Sequence, residues 1–131
     1  MKNILITGAS GQLAMEIKQE LNNSITNNYI FTNKNELDVT NADKVSSFFS
    51  KNSIELVINC AAYTNVNGSE IDKETANLVN HLAVKNIAEA CTEQGSACIH
   101  LSTDYVFAGE KNTPYTETGA EIGRASCRER V

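Results

Sequence analysis

The sequence predicts an α/β fold built on a doubly wound parallel sheet. Three apolar runs, at positions 2–7, 54–60 and 97–102, contain few polar residues, which is typical of strands covered on both faces. Segments with helical periodicity lie between the runs. Strands that alternate with helices form right-handed βαβ units. Ligands in such folds bind at the carboxyl ends of the strands, so we expect the functional residues there.

The first unit is a strand, a glycine turn and a helix. Lys2 to Thr7 is the strand, and the turn has the spacing Gly8-x-x-Gly11-x-x-Ala14, a dinucleotide fingerprint with alanine in the third place. A tight turn of this kind directs free N–H groups and the positive end of a helix dipole at one spot, where phosphate binds well. The pattern predicts a Rossmann-type NAD(P)-binding fold. The alternative is an ordinary strand-to-helix turn.

The next segments continue the alternation. Leu13, Ile17 and Leu21 recur at helical spacing and predict one apolar stripe on the first helix. Residues 29–32 read as a second strand, and residues 37–39 as either a very short strand or a loop. The stretch 40–43 offers N-cap side chains for a second helix.

The second half contains a long helix between two buried strands. We expect a polar loop over 61–72 and one helix over 74–94, with Gly95 as its stop. The apolar side of this helix consists of Ala76, Val79, Ala83, Ile87 and Ala90. The polar strand ends at 8–12, 59–64 and 102–104 are expected to meet at one edge of the sheet.

Composition narrows the function classes. The net charge of −5 argues against a nucleic-acid binder, because no basic patch could neutralise phosphates. No apolar run approaches the ~20 residues of a membrane span, and no signal-peptide pattern precedes the first strand. The cysteines are scattered without a Cys-x-x-Cys pair, which favours reduced thiols in the cytoplasm over a metal or disulfide site; they are Cys60, Cys91, Cys98 and Cys127.

The last eleven residues differ in composition from the rest. All three arginines, Arg124, Arg128 and Arg130, lie there, whereas residues 1–120 contain eight lysines and no arginine. We interpret 121–131 as the translation of a sequencing-adapter oligonucleotide and 1–120 as an incomplete NAD(P)-binding domain. The alternative is a genuine basic tail.

Three further motifs give the sequence a specific resemblance. They are Leu37-Asp38-Val39-Thr40, Asn59-Cys60-Ala61-Ala62-Tyr63-Thr64, and Ser102-Thr103-Asp104-Tyr105-Val106-Phe107 followed by Gly109 and residues 112–117. In combination they resemble the dTDP-4-dehydrorhamnose reductases, which belong to the extended short-chain dehydrogenase/reductases. The resemblance covers residues 1–120, roughly two fifths of a family member. It implies reduction of a dTDP-4-dehydro-6-deoxy-L-hexulose to dTDP-L-rhamnose with NADPH or NADH, in nucleotide-sugar biosynthesis.

The resemblance also implies roles for individual residues. The pyrophosphate loop corresponds to Gly8, Gly11, Gln12 and Leu13, the adenine side to Asp38 and Val39, and the ribose–nicotinamide side to Ala61, Ala62 and Thr64. Thr103 matches the catalytic hydroxyl and Asp104 a substrate contact. Glu16 matches a carboxylate associated with Mg²⁺ at the dimer interface of some members, so a homodimer is implied for the parent protein.

Chemistry and simpler explanations both apply to these residues. A hydroxyl at Thr103 can donate to a carbonyl oxygen as it gains negative charge during hydride delivery; the simpler explanation is a strand-end cap. Glu16 is expected on the first helical turn, where the dipole favours a carboxylate without any metal. Asn59 and Asn80 either hold backbone turns or a water chain, or only satisfy polar groups within a helix or strand. His81 and His100 read as packed or surface residues.

The proton donor of the family does not occur in this sequence. That donor is a tyrosine with a lysine four residues on, which a helix places on the same face. The chain has four tyrosines and none has a lysine at that spacing, so we expect the chain itself to be inactive. Lys34, after the second strand, favours a 2′-phosphate and therefore NADPH over NADH.

Two other functions use the same fold. One is a non-catalytic regulatory subunit that keeps the cofactor loop. The other is a nucleotide-sugar epimerase or dehydratase. The downstream Tyr-x-x-x-Lys would separate the regulatory subunit from the enzymes, and the 102–107 motif favours the reductase.

Overall fold

A four-stranded parallel sheet forms the centre of the protein, and its strand order is β2-β1-β3-β4. The computed structural model describes residues 1–21, 24–101 and 112–116. The strands are β1 Asn3–Thr7, β2 Asn28–Thr32, β3 Leu56–Asn59 and β4 Ala97–His100. The chain leaves β1 toward β2 on one side and later returns to the other side of β1 with β3. The predicted parallel α/β fold is confirmed.

Helices connect all consecutive strands. They are α1 Gln12–Glu20, α2 Ala42–Asn52, α3 Val66–Ile71, α4 Lys73–Asn77 and α5 Ala83–Gln94, with a π-helical turn at Leu78–Leu82 between α4 and α5. No helix in the described ranges is long and apolar enough to cross a membrane.

Both faces of the sheet are covered, as the doubly wound prediction requires. Leu5 and Val57 point to the face that α2 and α5 cover, where Phe49 and Ile87 are fully or almost fully buried. Successive strand residues point to opposite faces. Ile4 and Ile6 therefore pack against Ala14 of α1 on the other face.

The helix ends follow the chemistry of the sequence. Asn41 is the N-cap of α2, and its side chain accepts a hydrogen bond from the backbone N of Lys44 at 3.0 Å. Gly95 ends α5 with φ of 68°, a left-handed conformation that glycine adopts without steric cost. Both predicted helix signals are confirmed.

Three expectations about the elements need correction, and one open alternative is decided, since residues 37–39 form a loop. Residues 66–71 of the predicted polar loop form α3, because the Asn65 side chain caps it by accepting from Gly68 N at 2.8 Å. The 74–94 helix begins at Lys73 and is interrupted by the π-helical turn. The predicted buried strand at 97–102 is β4, which is exposed along its length.

The first helix also buries a different residue from those predicted. Ala14 is fully buried, whereas Leu13 is 42% exposed, because only the small alanine allows α1 to approach β1 and β2 closely. Glu16 lies beyond the first turn of α1, which contains no acidic residue. The helix dipole therefore does not explain this carboxylate.

Candidate functional site

The last residue of every strand is polar. In the sheet register Thr7 lies opposite both Thr32 and Asn59, and Asn59 lies opposite His100. Three members of this row, Thr7, Thr32 and Asn59, are buried. Because the strands are parallel, the row crosses the carboxyl edge of the whole sheet.

Asn59 connects the row by hydrogen bonds. Thr7 Oγ1 donates to Asn59 Oδ1 at 2.6 Å, and Ala61 N lies 3.2 Å from the same oxygen and 3.3 Å from Thr7 Oγ1. On its other side, Asn59 Nδ2 lies 3.1 Å from His100 Nδ1. The expectation that Asn59 holds a backbone turn is confirmed, and strands β1, β3 and β4 are joined through one amide.

Gly8 lies directly over this network. Its φ is 68°, and a Cβ at this position would lie 2.8 Å from the backbone of Cys60 and Ala61. Only glycine fits so close an approach between the turns after β1 and β3. The turn is also tied to β2, since Ala9 N donates to Thr32 O at 3.0 Å.

The start of α1 lies beside this turn. Gly11 is its N-cap and supplies no side-chain hydrogen bond. The N–H of Gly11 itself donates to Gly8 O at 2.8 Å. The following N–H groups, those of Gln12 and Leu13, have no intrahelical partner, as is general for a first turn. Such groups and the helix dipole favour an anion at a helix N-terminus.

A cleft of about 360 Å³ opens over the turn, within the ~300–1,000 Å³ common for small-molecule sites. Its charged lining residues are Lys34 and Asp38. The lining consists of Gly8, Ser10, Gly11, Asn33, Lys34, Leu37, Asp38, Val39, Thr40, Cys60, Ala61, Ala62, Tyr63, Thr75 and Val79. The cleft lies at the point where strand order reverses between β1 and β3, which is where doubly wound sheets bind ligands.

The turn after β2 is held by its own polar groups. Asn33 N donates to Glu36 Oε2 at 2.8 Å, and Asn33 Oδ1 accepts from Asn35 N at 2.9 Å. The Glu36 carboxylate therefore folds back onto the backbone. Lys34, which is exposed, is the basic side chain among the cleft residues.

Asp38 is fixed in the wall of the cleft. Its Oδ1 accepts from Thr40 Oγ1 at 2.7 Å and from Thr40 N at 3.1 Å. The hydrogen bond from the Thr40 hydroxyl is the main reason that the pKa of Asp38 lies below its usual value. The side chain is therefore an oriented carboxylate at neutral pH.

Asn80 holds the opposite wall. Its Oδ1 accepts from Tyr63 N at 2.8 Å and its Nδ2 donates to Tyr63 O at 3.0 Å. The side chain thereby pairs with both backbone groups of one residue, as a neighbouring strand would. The residue belongs to the π-helical turn, a local irregularity that is frequent at functional sites. This result agrees with the expectation that Asn80 holds a backbone turn.

Six of the predicted cofactor residues line the cleft, namely Gly8, Gly11, Asp38, Val39, Ala61 and Ala62. Gln12 and Leu13, at the start of α1, are not among the lining residues. Thr64 is exposed outside the lining. Thr103 and Asp104 lie outside the described residues, as do the rest of the 102–107 motif and the tail 121–131.

Several lining residues were not predicted from the sequence. Asn33 directly follows the end of β2, so the carboxyl-edge rule could have found it. Tyr63 lies within the strand end 59–64 that the sequence indicated, but no role was assigned to it. Thr75 of α4 and Val79 of the π-helical turn are four positions apart. Nothing in their residue types indicates a ligand.

No metal centre is present among the residues that the structure describes, where no three His, Cys, Asp or Glu side chains come together. Cys60, Cys91 and Cys98 are free thiols. Burial raises the pKa of Cys91 to about 11 and also raises the pKa of Cys60, so both are protonated at neutral pH. Of these thiols Cys91 is buried, Cys60 is half-buried and Cys98 is exposed.

The parallel sheet, the glycine turn with its close backbone approach, and the cleft at the switch point define a Rossmann-type nucleotide-binding domain. The family model described as "RmlD substrate binding domain" matches residues 1–122. The chain belongs to this family.

Curated relatives support the resemblance seen in the sequence. The dTDP-4-dehydrorhamnose reductase of Aggregatibacter actinomycetemcomitans is 40% identical over 118 residues, covering 90% of this chain and 40% of that protein. The enzyme of the same name from Burkholderia thailandensis is 36% identical, covering 88% of this chain and 38% of that protein. The chain thus spans about 40% of the length of these relatives.

Solved structures agree with the fold in detail. A dTDP-4-dehydrorhamnose reductase from Clostridium acetobutylicum superimposes with a TM-score of 0.90 at 39% identity, over 95% of this chain and 45% of that one. The Bacillus anthracis enzyme, solved in complex with NADP, gives 0.87 at 34% identity, over 92% of this chain and 43% of that one.

Proposed function

We propose that this chain is the cofactor-binding part of a dTDP-4-dehydrorhamnose reductase, an NAD(P)H-dependent oxidoreductase. The observation that carries the proposal is the close approach at Gly8, where a Cβ would meet Cys60 and Ala61 at 2.8 Å beside the uncapped start of α1. This arrangement leaves room and donors for a diphosphate. The whole protein would reduce the 4-keto group of a dTDP-6-deoxy-hexulose to give dTDP-L-rhamnose.

The cleft residues suit the parts of a dinucleotide in order. The N–H groups of Gln12 and Leu13 would bind the pyrophosphate, with Gly8 and Gly11 allowing its approach. Asp38 and Val39 would border the adenine, and Ala61, Ala62 and Thr64 would border the ribose and nicotinamide. When bound, the nicotinamide supplies a hydride, and the protein supplies orientation.

The turn after β2 favours NADPH over NADH. An acidic side chain that bonds the ribose 2′-hydroxyl is what usually selects NAD. Here Glu36 is already bonded to Asn33 N at 2.8 Å, and it is absent from the cleft lining. Lys34 remains in the cleft as the cation that a 2′-phosphate would contact.

Thr103 and Asp104 would act on the sugar. They follow β4, whose last residue His100 is three positions before Thr103, so the chain enters this motif from the carboxyl edge of the sheet. A Thr103 hydroxyl would donate to the substrate carbonyl oxygen as negative charge develops there. The Mg²⁺ contact of Glu16 and a homodimeric parent protein stay predictions.

Nucleotide titration of the chain tests the cofactor part of the proposal. We expect NADPH to bind more tightly than NADH, measured by the change in nicotinamide fluorescence. Lys34→Ala should weaken NADPH binding about tenfold, the loss of one charge-assisted contact worth ~1.5 kcal/mol, and leave NADH binding unchanged. Lys51→Ala, in the last turn of α2, is the matched control. Equal effects of Lys34→Ala on both nucleotides would contradict the 2′-phosphate contact.

Turnover tests the enzyme part. The complete reading frame should oxidise NADPH only when the dTDP-keto-sugar is added. The 131-residue chain should bind nucleotide without turnover, since none of its tyrosines has a lysine four residues on. An intact reading frame that binds NADPH and ignores the sugar nucleotide would instead indicate a regulatory subunit.

A further inference from the structure

The Asn59 side chain can face its neighbours in only one orientation. Its Oδ1 lies 2.6 Å from Thr7 Oγ1 and 3.2 Å from Ala61 N. The Ala61 N–H is a donor only, so the atom facing it must be the carbonyl oxygen of the Asn59 amide. Asn59 is 3% exposed and Thr7 is 1% exposed, so neither could exchange these partners for water at little cost.

This orientation fixes the state of His100. The Asn59 amide nitrogen carries only donors, and it lies 3.1 Å from His100 Nδ1. Nδ1 must therefore be the unprotonated nitrogen, and the ring proton must sit on Nε2. Partial desolvation of the ring lowers the pKa of His100, although the residue as a whole is exposed, and the direction agrees with a neutral ring.

We infer that Asn59 is a positioning residue that holds the end of β4 against the phosphate-binding turn, and that its hydrogen bond requires His100 in the Nε2-protonated tautomer. One side of the amide holds Thr7 and Ala61, which lie beside Gly8. The other side holds His100, which precedes Thr103 by three residues. The inference rests on the proposed function only where it relates Asn59 to nucleotide binding.

A substitution can exchange the hydrogen-bond donor that faces His100 for an acceptor without changing the acceptor that faces Thr7 and Ala61. Asn59→Asp keeps an oxygen for Thr7 and Ala61 but replaces the donor toward His100 by an acceptor. His100 would then have to carry a proton on Nδ1, and a carboxylate beside it would raise its pKa. Thr7→Val is the matched variant on the other side, because it removes a hydroxyl near Gly8 and leaves the His100 contact intact.

Ring ¹⁵N NMR of this chain reads the tautomer directly. The chain contains two histidines, so spectra of His81→Gln contain His100 alone. We expect Nδ1 unprotonated and Nε2 protonated at neutral pH, with no nucleotide present. Asn59→Asp should move the proton to Nδ1 and raise the proton affinity of His100 at least tenfold, whereas Thr7→Val should leave both unchanged. A wild-type ring protonated on Nδ1, or an unchanged titration in Asn59→Asp, would overturn the inference.

NADPH titration then tests the positioning role. Asn59→Leu, which loses both sides of the amide, should weaken NADPH binding at least tenfold, while Asn28→Leu at the opposite edge of the sheet should not. If Asn59→Leu does not fold, Asn59→Asp and His100→Gln are tested in its place. Hydrogen exchange of the Ala61 amide should stay slow in both variants, because both keep the side-chain oxygen that accepts from Ala61 N. Normal NADPH affinity in folded Asn59→Leu would refute the role. Absence of NADPH binding to the wild type would refute the proposed function and leave the tautomer result unaffected.

Discussion

The two edges of the sheet use the same residue type for different purposes. At the amino edge, Asn3 donates through Nδ2 to Asn52 O at 2.6 Å, and its Oδ1 accepts from Asn28 Nδ2 at 2.9 Å. At the carboxyl edge, Asn59 joins Thr7, Ala61 and His100. Asn28 is exposed and Asn3 is half-buried, whereas Asn59 is buried.

The difference between the edges follows from the direction of the strands. In a parallel sheet every strand ends at the same edge, and the following helix begins there. The carboxyl edge therefore collects helix N-termini with unpaired N–H groups, while the amino edge receives helix C-termini with carbonyl groups. Amides at the amino edge satisfy those carbonyls, as Asn3 does for Asn52. Amides at the carboxyl edge can hold a site for an anion.

Substituting alanine for the two glycines with a left-handed backbone conformation should give the largest difference between the two edges of the sheet. Gly8 and Gly95 both have φ of 68°, but a Cβ would lie 2.8 Å from Cys60 and Ala61 backbone at Gly8 and would contact nothing within 4 Å at Gly95. Gly95→Ala should lower the free energy of unfolding by ~1–2 kcal/mol, the cost of holding an alanine in a left-handed backbone conformation, and leave NADPH binding unchanged. Gly8→Ala should lower the free energy of unfolding by more than this and abolish NADPH binding.

Urea denaturation and nucleotide titration of both variants measure this contrast. Equal losses of stability in the two variants would mean that the backbone at Cys60 and Ala61 moves away from a Cβ at position 8 without cost. NADPH binding by a folded Gly8→Ala variant would contradict the pyrophosphate site.

Alanine at the two asparagines should give the next largest difference. Asn59→Ala leaves Thr7 Oγ1 and Ala61 N short of a buried partner and should lower the free energy of unfolding by about 1–3 kcal/mol. Asn28→Ala, at an exposed position, should change it by less than ~0.5 kcal/mol. Chemical denaturation with matched m-values checks the pair. A larger effect at Asn28 would reverse our assignment of the buried network to the carboxyl edge.

Thiol alkylation should distinguish the cleft from the core. Cys60 is half-buried and lines the cleft, while Cys91 is buried in the core. Burial raises the pKa of both thiols, so both should react slowly, Cys91 more slowly than Cys60. Saturating NADPH should slow labelling of Cys60 several-fold without changing that of Cys91, as measured by peptide mass spectrometry. Labelling of Cys60 that ignores NADPH would place the nucleotide elsewhere.

The smallest expected effect is a pH dependence of stability from His100. Partial desolvation of its ring lowers its pKa below the usual 6.5, so the folded state favours the neutral ring. The stability from this group is present above pH 6.5 and is lost as the pH falls toward the lowered pKa, because the unfolded chain binds the proton first. Melting temperatures between pH 7.5 and 5 should fall less in His100→Gln than in the wild type.

Much of the fold could be predicted from local patterns. The runs around Leu5 and Val57 indicated covered strands, and the periodicity from Ala76 to Ala90 indicated the long helix. The 66–71 helix was missed because its N-cap, Asn65, precedes a segment with glycine and serine in place of an apolar stripe. The burial of Ala14 instead of Leu13 was also missed, since the distance between a helix and its sheet is set by tertiary packing.

The candidate site was predicted less evenly. Gly8, Gly11 and Asp38 were found because their residue types and spacing carry the chemistry themselves. Thr75 and Val79 were not, since they line the cleft only through the placement of α4 and the π-helical turn after it. The hydrogen bond from Asn33 N to the Glu36 carboxylate also depends on the geometry of the turn, which the residue types alone do not determine.

The sequence by itself determined the parallel α/β fold, the glycine turn and the resemblance to its family, because hydrophobic periodicity and short motifs are local properties of the chain. Only the tertiary structure decided which atoms meet. It placed Thr7, Asn59 and His100, which are far apart in the sequence, in one row at the carboxyl edge. It also brought Gly8 against Ala61. Such contacts depend on strand register and order, and no local stretch of sequence contains that information.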